Sequence, residues 1–164
     1  MKSGSIHEIR KELAELQPSQ LIELCLLLAR YKKDNKEFLD YLLFQAHDKN
    51  GFATAVRNEI DELYRAIDHG NNLYYIKKSL RKILRFVNKY CKYVNNKALE
   101  AELHIYFTKQ LKDSGIKFYN SRVLLNLYEG EIKKIEVLVK SLHEDLQIDY
   151  DEDLNYLKVY TWIS

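Results

Sequence analysis

The stretch "NLYYIKKSLRKILRFVNKYCKYVNNK" (72–97) decides how this chain is read. It holds eight Lys/Arg and no acid, in a chain whose net charge is only +2. At about 100° per residue, Ile76, Leu80, Ile83, Leu84, Val87, Cys91 and Val94 fall within one apolar sector. Lys78, Arg81, Arg85, Lys89 and Lys92 fall on the opposite side. Lys77 and Lys82 flank them, Tyr74 joins the basic side, and Phe86 and Tyr90 lie nearer the apolar edge. The spacing predicts one helix from Leu73 to Val94, broken by Asn95-Asn96. Its stripe faces a core, and a basic ridge about 20 Å long faces outward.

The same spacing of three and four runs outward in both directions. Ile6, Ile9, Leu13 and Leu16 mark a first short helix. Pro18 suits the first turn of a second, where no N–H is needed. Leu21, Leu24, Cys25 and Leu28 carry that helix to Tyr31. After a polar break at 32–35, Phe38, Leu39, Leu42 and Leu43 define a third, ending near Asp48. "KNG" (49–51) reads as a turn. Phe52, Val56, Ile60, Leu63 and Ile67 define a fourth, ended by His69-Gly70, with Gly70 free to take the left-handed conformation of a C-cap.

Beyond the basic helix, Leu99, Leu103, Phe107 and Leu111 carry a sixth, stopped by Ser114-Gly115. Leu124, Tyr128, Ile132, Ile135, Val139, Leu142 and Leu146 step along a seventh, capped by Asn120 or Ser121. Gly130 inside it is expected to kink or divide it. Asp149, Asp151 and Asp153 precede a last segment, Leu154 to Trp162, read as helical although Val159-Tyr160-Thr161 has strand propensity.

Composition agrees with this pattern. At 46% hydrophobic and 30% charged residues, the chain is not a disordered one. One Pro and five Gly are too few for a sandwich or barrel of short strands. The fold expected is all-α: seven to eight antiparallel helices, as a bundle or a short right-handed α–α superhelical array. The tetratricopeptide pattern is absent. The length fits one domain, 1–164, with residues 1–5 a disordered start or a cloning remnant. No secretory signal is evident, and the longest apolar run, Leu24 to Ala29, is too short to span a bilayer. The expected location is cytoplasmic. Cys25 and Cys91 both fall on apolar helix faces and are expected as buried packing residues.

Within "KELAELQPSQLIELCLLLARYKKDNKEFLDYLL" (11–43), Leu13 and Leu16 precede Gln20, Leu21, Ile22 and Leu24. Lys36 and Glu37 then lead into Tyr41 and Leu42. This segment, about a fifth of the chain, resembles the start of a bacterial family of small helical proteins with no assigned function. The resemblance implies a helical fold and carries over no catalytic residue.

Charge is distributed unevenly. Residues 1–72 hold 10 basic and 12 acidic groups, 73–117 hold 11 and 3, and 118–164 hold 5 and 9. A basic centre is therefore flanked by acidic arms. The ridge offers a path for phosphates, with Tyr74 to stack on a base and Arg81 and Arg85 one turn apart. The competing reading is a solvated outer face, or one neutralised by the acidic third region.

Sites of other kinds are weak. "DYDED" (149–153) fails as a calcium loop, because Leu154 stands where Gly is needed and Tyr160 where Glu is needed. It reads instead as a helix N-terminus rich in acids. Glu100 and His104 share a face four apart, yet two ligands do not make a metal site. His47, His69 and His143 sit near helix ends, where imidazole meets the last carbonyls. No phosphate loop, HExxH or nucleophile elbow occurs. Thirteen tyrosines read as fillers of helix seams with wet hydroxyls, or as the lining of a groove.

The function expected is a non-enzymatic scaffold or interaction protein that binds a protein partner or itself, with no cofactor, no metal and no membrane. The alternative is nucleic-acid or other polyanion binding through 73–94, by Tyr74, Lys78, Arg81, Arg85, Lys89 and Lys92. An enzyme would need polar residues from three or more helices to converge in a pocket.

Overall fold

The computed structural model describes residues 3–68, 70 and 72–159. The fold is all-α, and no strand occurs among the described residues. The chain divides into two compact units, Met1–His47 and Asp48–Ser164.

The first unit contains α1 (Ile6–Ala14), α2 (Pro18–Tyr31), α3 (Lys33–Asp40) and a π-helical turn, Tyr41–Gln45. Ser5, which the sequence assigns to a disordered start, is the N-cap of α1. Its hydroxyl accepts from the Glu8 N–H, and the Glu8 carboxylate accepts from the Ser5 N–H, which makes a capping box. Pro18 stands in the first turn of α2 as expected. The polar break shrinks to a single extended residue, Lys32. Asn35 then donates from Nδ2 to the Leu28 carbonyl at 2.8 Å, satisfying one of the free carbonyls at the end of α2. The helices α2 and α3 pack on each other.

The second unit contains α4 (Lys49–Arg65), α5 (Leu73–Val94), α6 (Lys97–Asp113), α7 (Arg122–Lys140), α8 (Glu144–Gln147) and α9 (Asp151–Lys158). One-turn 3-10 segments at Phe118–Asn120 and Ile148–Tyr150 join them. α6 lies at the centre and packs against α4, α5, α7 and α9. Leu99, Ala101, Leu103, Ile105, Phe107 and Leu111 are all buried on it. Glu102, Lys109 and Asp113 fall on the one side of it that reaches solvent.

Several boundaries differ from the sequence reading. "KNG" is the first turn of α4, not a turn between elements: the Asp48 carboxylate caps the Gly51 N–H at 2.9 Å. A Cβ at Gly51 would lie 2.2 Å from that carboxylate, so glycine admits the cap. α4 stops at Arg65, before Ile67 and Gly70. The Gly70 N–H donates to Asp68 Oδ1 at 2.9 Å in a side-chain turn. Asn95 (φ 47°), which ends α5, and Gly115 (φ 74°), which follows α6, are left-handed. α7 runs unbroken through Gly130 but ends at Lys140, so Leu142 and Leu146 lie beyond it. Ser121 is its N-cap by position, without a side-chain bond. Asp151 and Asp153 lie inside the first turn of α9 rather than before it, where they suit the helix dipole. Val159 is extended after α9, and the remainder of the expected strand-like end lies outside the described residues.

Candidate functional site

Three features stand out: an apolar hairpin in the first unit, and a basic ridge and a buried polar cluster in the second. The hairpin departs furthest from expectation. Apolar residues read as seam-forming are largely exposed in α1 to α3. Of those residues, Leu28 and Leu43 are about 60% exposed and Ile6 82%, while Leu16, Leu21 and Leu39 are half-buried; Ile22, Leu27 and Phe44, outside the predicted stripes, are also about 60% exposed. Among the described residues of this unit, only Tyr41 is buried. Cys25 is exposed too, against the expectation of a packed thiol. It shares with Leu28, Phe38, Leu39 and Leu42 an open apolar groove of about 270 Å³ between α2 and α3.

The basic ridge lies on α5. Ile76, Leu80, Ile83, Val87 and Cys91 are buried on its inner face, as the periodicity predicts. Tyr74, Lys78, Arg81, Arg85 and Lys92 are exposed. Lys89 departs from the set: it is half-buried, with its ammonium over the rings of Tyr90 and Tyr93 at 5.3 and 6.0 Å. Lys77 lies over the Tyr74 ring at 5.4 Å. Among the described residues, Lys78, Arg81, Lys82, Arg85 and Lys92 make no ion pair. The acidic arm pairs elsewhere: Asp153 on α9 holds Lys109 on α6, and Glu136 on α7 holds Lys158 on α9 at 2.7 Å.

The polar cluster brings three helices together. His104 on α6 is fully buried, and Glu131 on α7 nearly so. His104 Nδ1 lies 2.6 Å from Glu131 Oε2, so Nδ1–H donates to the carboxylate and leaves Nε2 as the acceptor. The Lys134 ammonium on α7 donates to that Nε2 and to Asn88 Oδ1 on α5, each at 2.8 Å. It also pairs with Glu100 on α6 at 3.3 Å. The Cys91 thiol is pushed up to about 12, first by burial and then by the charge of Glu100. Sequence spacing found Glu100 and His104 together. It missed Glu131, Lys134, Asn88 and the approach of Cys91, because these come from neighbouring helices.

The remaining site expectations resolve locally. His143 is the N-cap of α8, where its Nδ1 accepts from the Asp145 N–H, instead of meeting a helix C-terminus. His47 is exposed, and His69 lies outside the described residues. Several tyrosine hydroxyls are bonded rather than wet. Tyr64 donates to the Phe107 carbonyl at 2.9 Å, Tyr128 to the Leu157 carbonyl at 2.8 Å, and Tyr106 to Asp61. Burial raises the Tyr64 phenol well above its usual value, with a smaller contribution from the charge of Glu131. Among the described residues no helix is long and apolar enough to cross a membrane. No protein-family model, curated protein or solved structure matches the chain.

Proposed function

We propose that the protein is a non-enzymatic interaction protein that self-associates through the α2–α3 hairpin. The observation that carries this reading is the exposure of Leu28, Leu42 and Phe38 around an open apolar groove. Contiguous exposed apolar surface of this kind marks an interaction site. A second copy of the chain is the occupant that the charges favour. Residues 1–47 carry seven basic and seven acidic groups, so two copies meet without net repulsion. Within α2 the two charged residues are Glu23, in its first half, and Arg30, in its last turn. Antiparallel packing of α2 on its copy sets the Glu23 half of each beside the Arg30 half of the other, and two hairpins so joined make a four-helix bundle.

Cys25 lies at the middle of α2, so the two-fold axis of such a pair passes beside it. A short bis-maleimide is expected to join two chains at Cys25. Cys25→Ser and Leu28→Glu both abolish the product. If the wild-type chain is labelled only at single-chain mass, the proposal fails.

A second reading rests on the exposed cations of α5: polyanion binding by Tyr74, Lys78, Arg81, Arg85 and Lys92, with Lys89, half-buried over the Tyr90 and Tyr93 rings, at the edge of the set. Each phosphate contact contributes about one unit to the slope of log K against log salt. A mobility shift with mixed RNA and DNA is expected to weaken steeply with salt and to vanish for Arg81→Glu with Arg85→Glu. Absence of a shift at low salt would end this reading.

A further inference from the structure

We infer that Cys91, Glu100 and His104 form a binding site for a divalent transition metal of the zinc class. One ligand atom from each lies within 4.8 Å of the others. Tetrahedral zinc holds its N, O and S donors about 3.3–3.8 Å apart, so the side chains close by about an ångström to bind. Glu100 and His104 stand four apart on α6 and project from one face. Cys91 reaches them from the last turn of α5, across the Asn95-Asn96 link.

Two independent features point to a cation. The first is the orientation of His104. Its Nδ1 is committed to Glu131 at 2.6 Å, which fixes the tautomer and leaves Nε2, the acceptor that Lys134 now fills, as the nitrogen a metal would take. A carboxylate behind the imidazole is the usual support of a metal-bound histidine. The second is the Lys134 ammonium, which already occupies a cation position between His104 Nε2, Asn88 Oδ1 and Glu100. Glu100 pairs with that ammonium at 3.3 Å, and a metal that takes its place meets the same carboxylate. Lys134 is about one-third exposed and can withdraw toward solvent as the metal enters. The Cys91 thiol gives up its proton to bind as thiolate, and water completes the four ligands. The mixture of S, N and O donors selects zinc or cobalt over magnesium or calcium.

The test uses the full chain and cobalt as a spectroscopic probe, with circular dichroism to confirm that each variant is folded. One cobalt per chain is expected, with a thiolate-to-metal charge-transfer band that zinc displaces. Cys91→Ser removes the band, and Cys25→Ser leaves it. Glu131→Gln weakens binding by about 10–100-fold, as for other carboxylates behind a metal-bound histidine. Lys134→Met, which removes the competing ammonium, tightens it by about tenfold, the effect of ~1.4 kcal/mol. The inference is overturned if folded wild type and folded Lys134→Met both fail to bind cobalt stoichiometrically. A band that survives Cys91→Ser and disappears with Cys25→Ser overturns it as well.

Discussion

The helices α2 and α5 are both amphipathic, and they use that property in opposite ways. α5 turns Leu80, Ile83 and Val87 into a core and leaves its cations in solvent. α2 leaves Ile22, Leu27 and Leu28 in solvent, although each is as apolar as anything on α5. The difference lies in their neighbours. α5 rests on α4 and α6, and α6 is buried over most of its circumference. Within its own unit α2 packs mainly on α3, eight residues long, and a helical pair cannot cover its own stripe. A periodic stripe therefore marks a surface that something covers, without naming what covers it.

The widest contrast expected is in thiol chemistry. At pH 8 the buried Cys91, its thiol pushed up to about 12, is only about one part in 10⁴ thiolate. Iodoacetamide followed by peptide mapping is expected to label exposed Cys25 promptly, and Cys91 only once urea unfolds the second unit. Equal labelling of both would erase the distinction between the units.

In stability the contrast is sharpest between core and groove. Phe107 is fully buried, so Phe107→Ala is expected to cost about 3–5 kcal/mol in urea unfolding. Leu28→Ala, at a side chain 60% exposed, is expected to cost under about 1 kcal/mol in dilute protein. A large loss for Leu28→Ala under those conditions would mean that the hairpin has a core of its own.

A smaller loss is expected at a seam. Tyr64→Phe removes one hydrogen bond to the Phe107 carbonyl and leaves that acceptor buried, costing about 1–3 kcal/mol. The same phenol makes stability depend on alkaline pH. Its folded-state pKa is raised, so the native state keeps the proton that the unfolded chain releases. Its contribution is whole below about pH 10 and is lost as pH climbs above that. Urea midpoints for wild type are expected to fall above pH 10, and those of Tyr64→Phe to fall less.

The smallest effect belongs to the ridge. Arg81→Glu with Arg85→Glu is expected to change the urea midpoint by no more than about 0.5 kcal/mol of stability, since these side chains are exposed and unpaired among the described residues. A substantial loss would show that the ridge has a structural partner.

The sequence carried much of this. The bounds of α5 were legible because its stripe, its basic face and Asn95-Asn96 all agree. The all-α class followed from the spacing throughout. What stayed hidden was three-dimensional. The central place of α6 lay in Ala101, Ile105 and Thr108, which fill faces that the Leu99–Leu103–Phe107–Leu111 stripe does not use. The Gly51 turn signal was overridden by the Asp48 cap. The polar cluster draws Asn88, His104, Glu131 and Lys134 from three helices, and no periodicity within one helix reports such a meeting. The open hairpin was illegible for a related reason: exposure depends on what the rest of the fold supplies.

Sedimentation equilibrium across a range of protein concentrations tests the self-association most directly. The account predicts a reversible rise from the 19.6 kDa of one chain to twice that mass, and a single-chain mass throughout for Leu28→Glu. A wild-type chain that stays at 19.6 kDa at every concentration would contradict it.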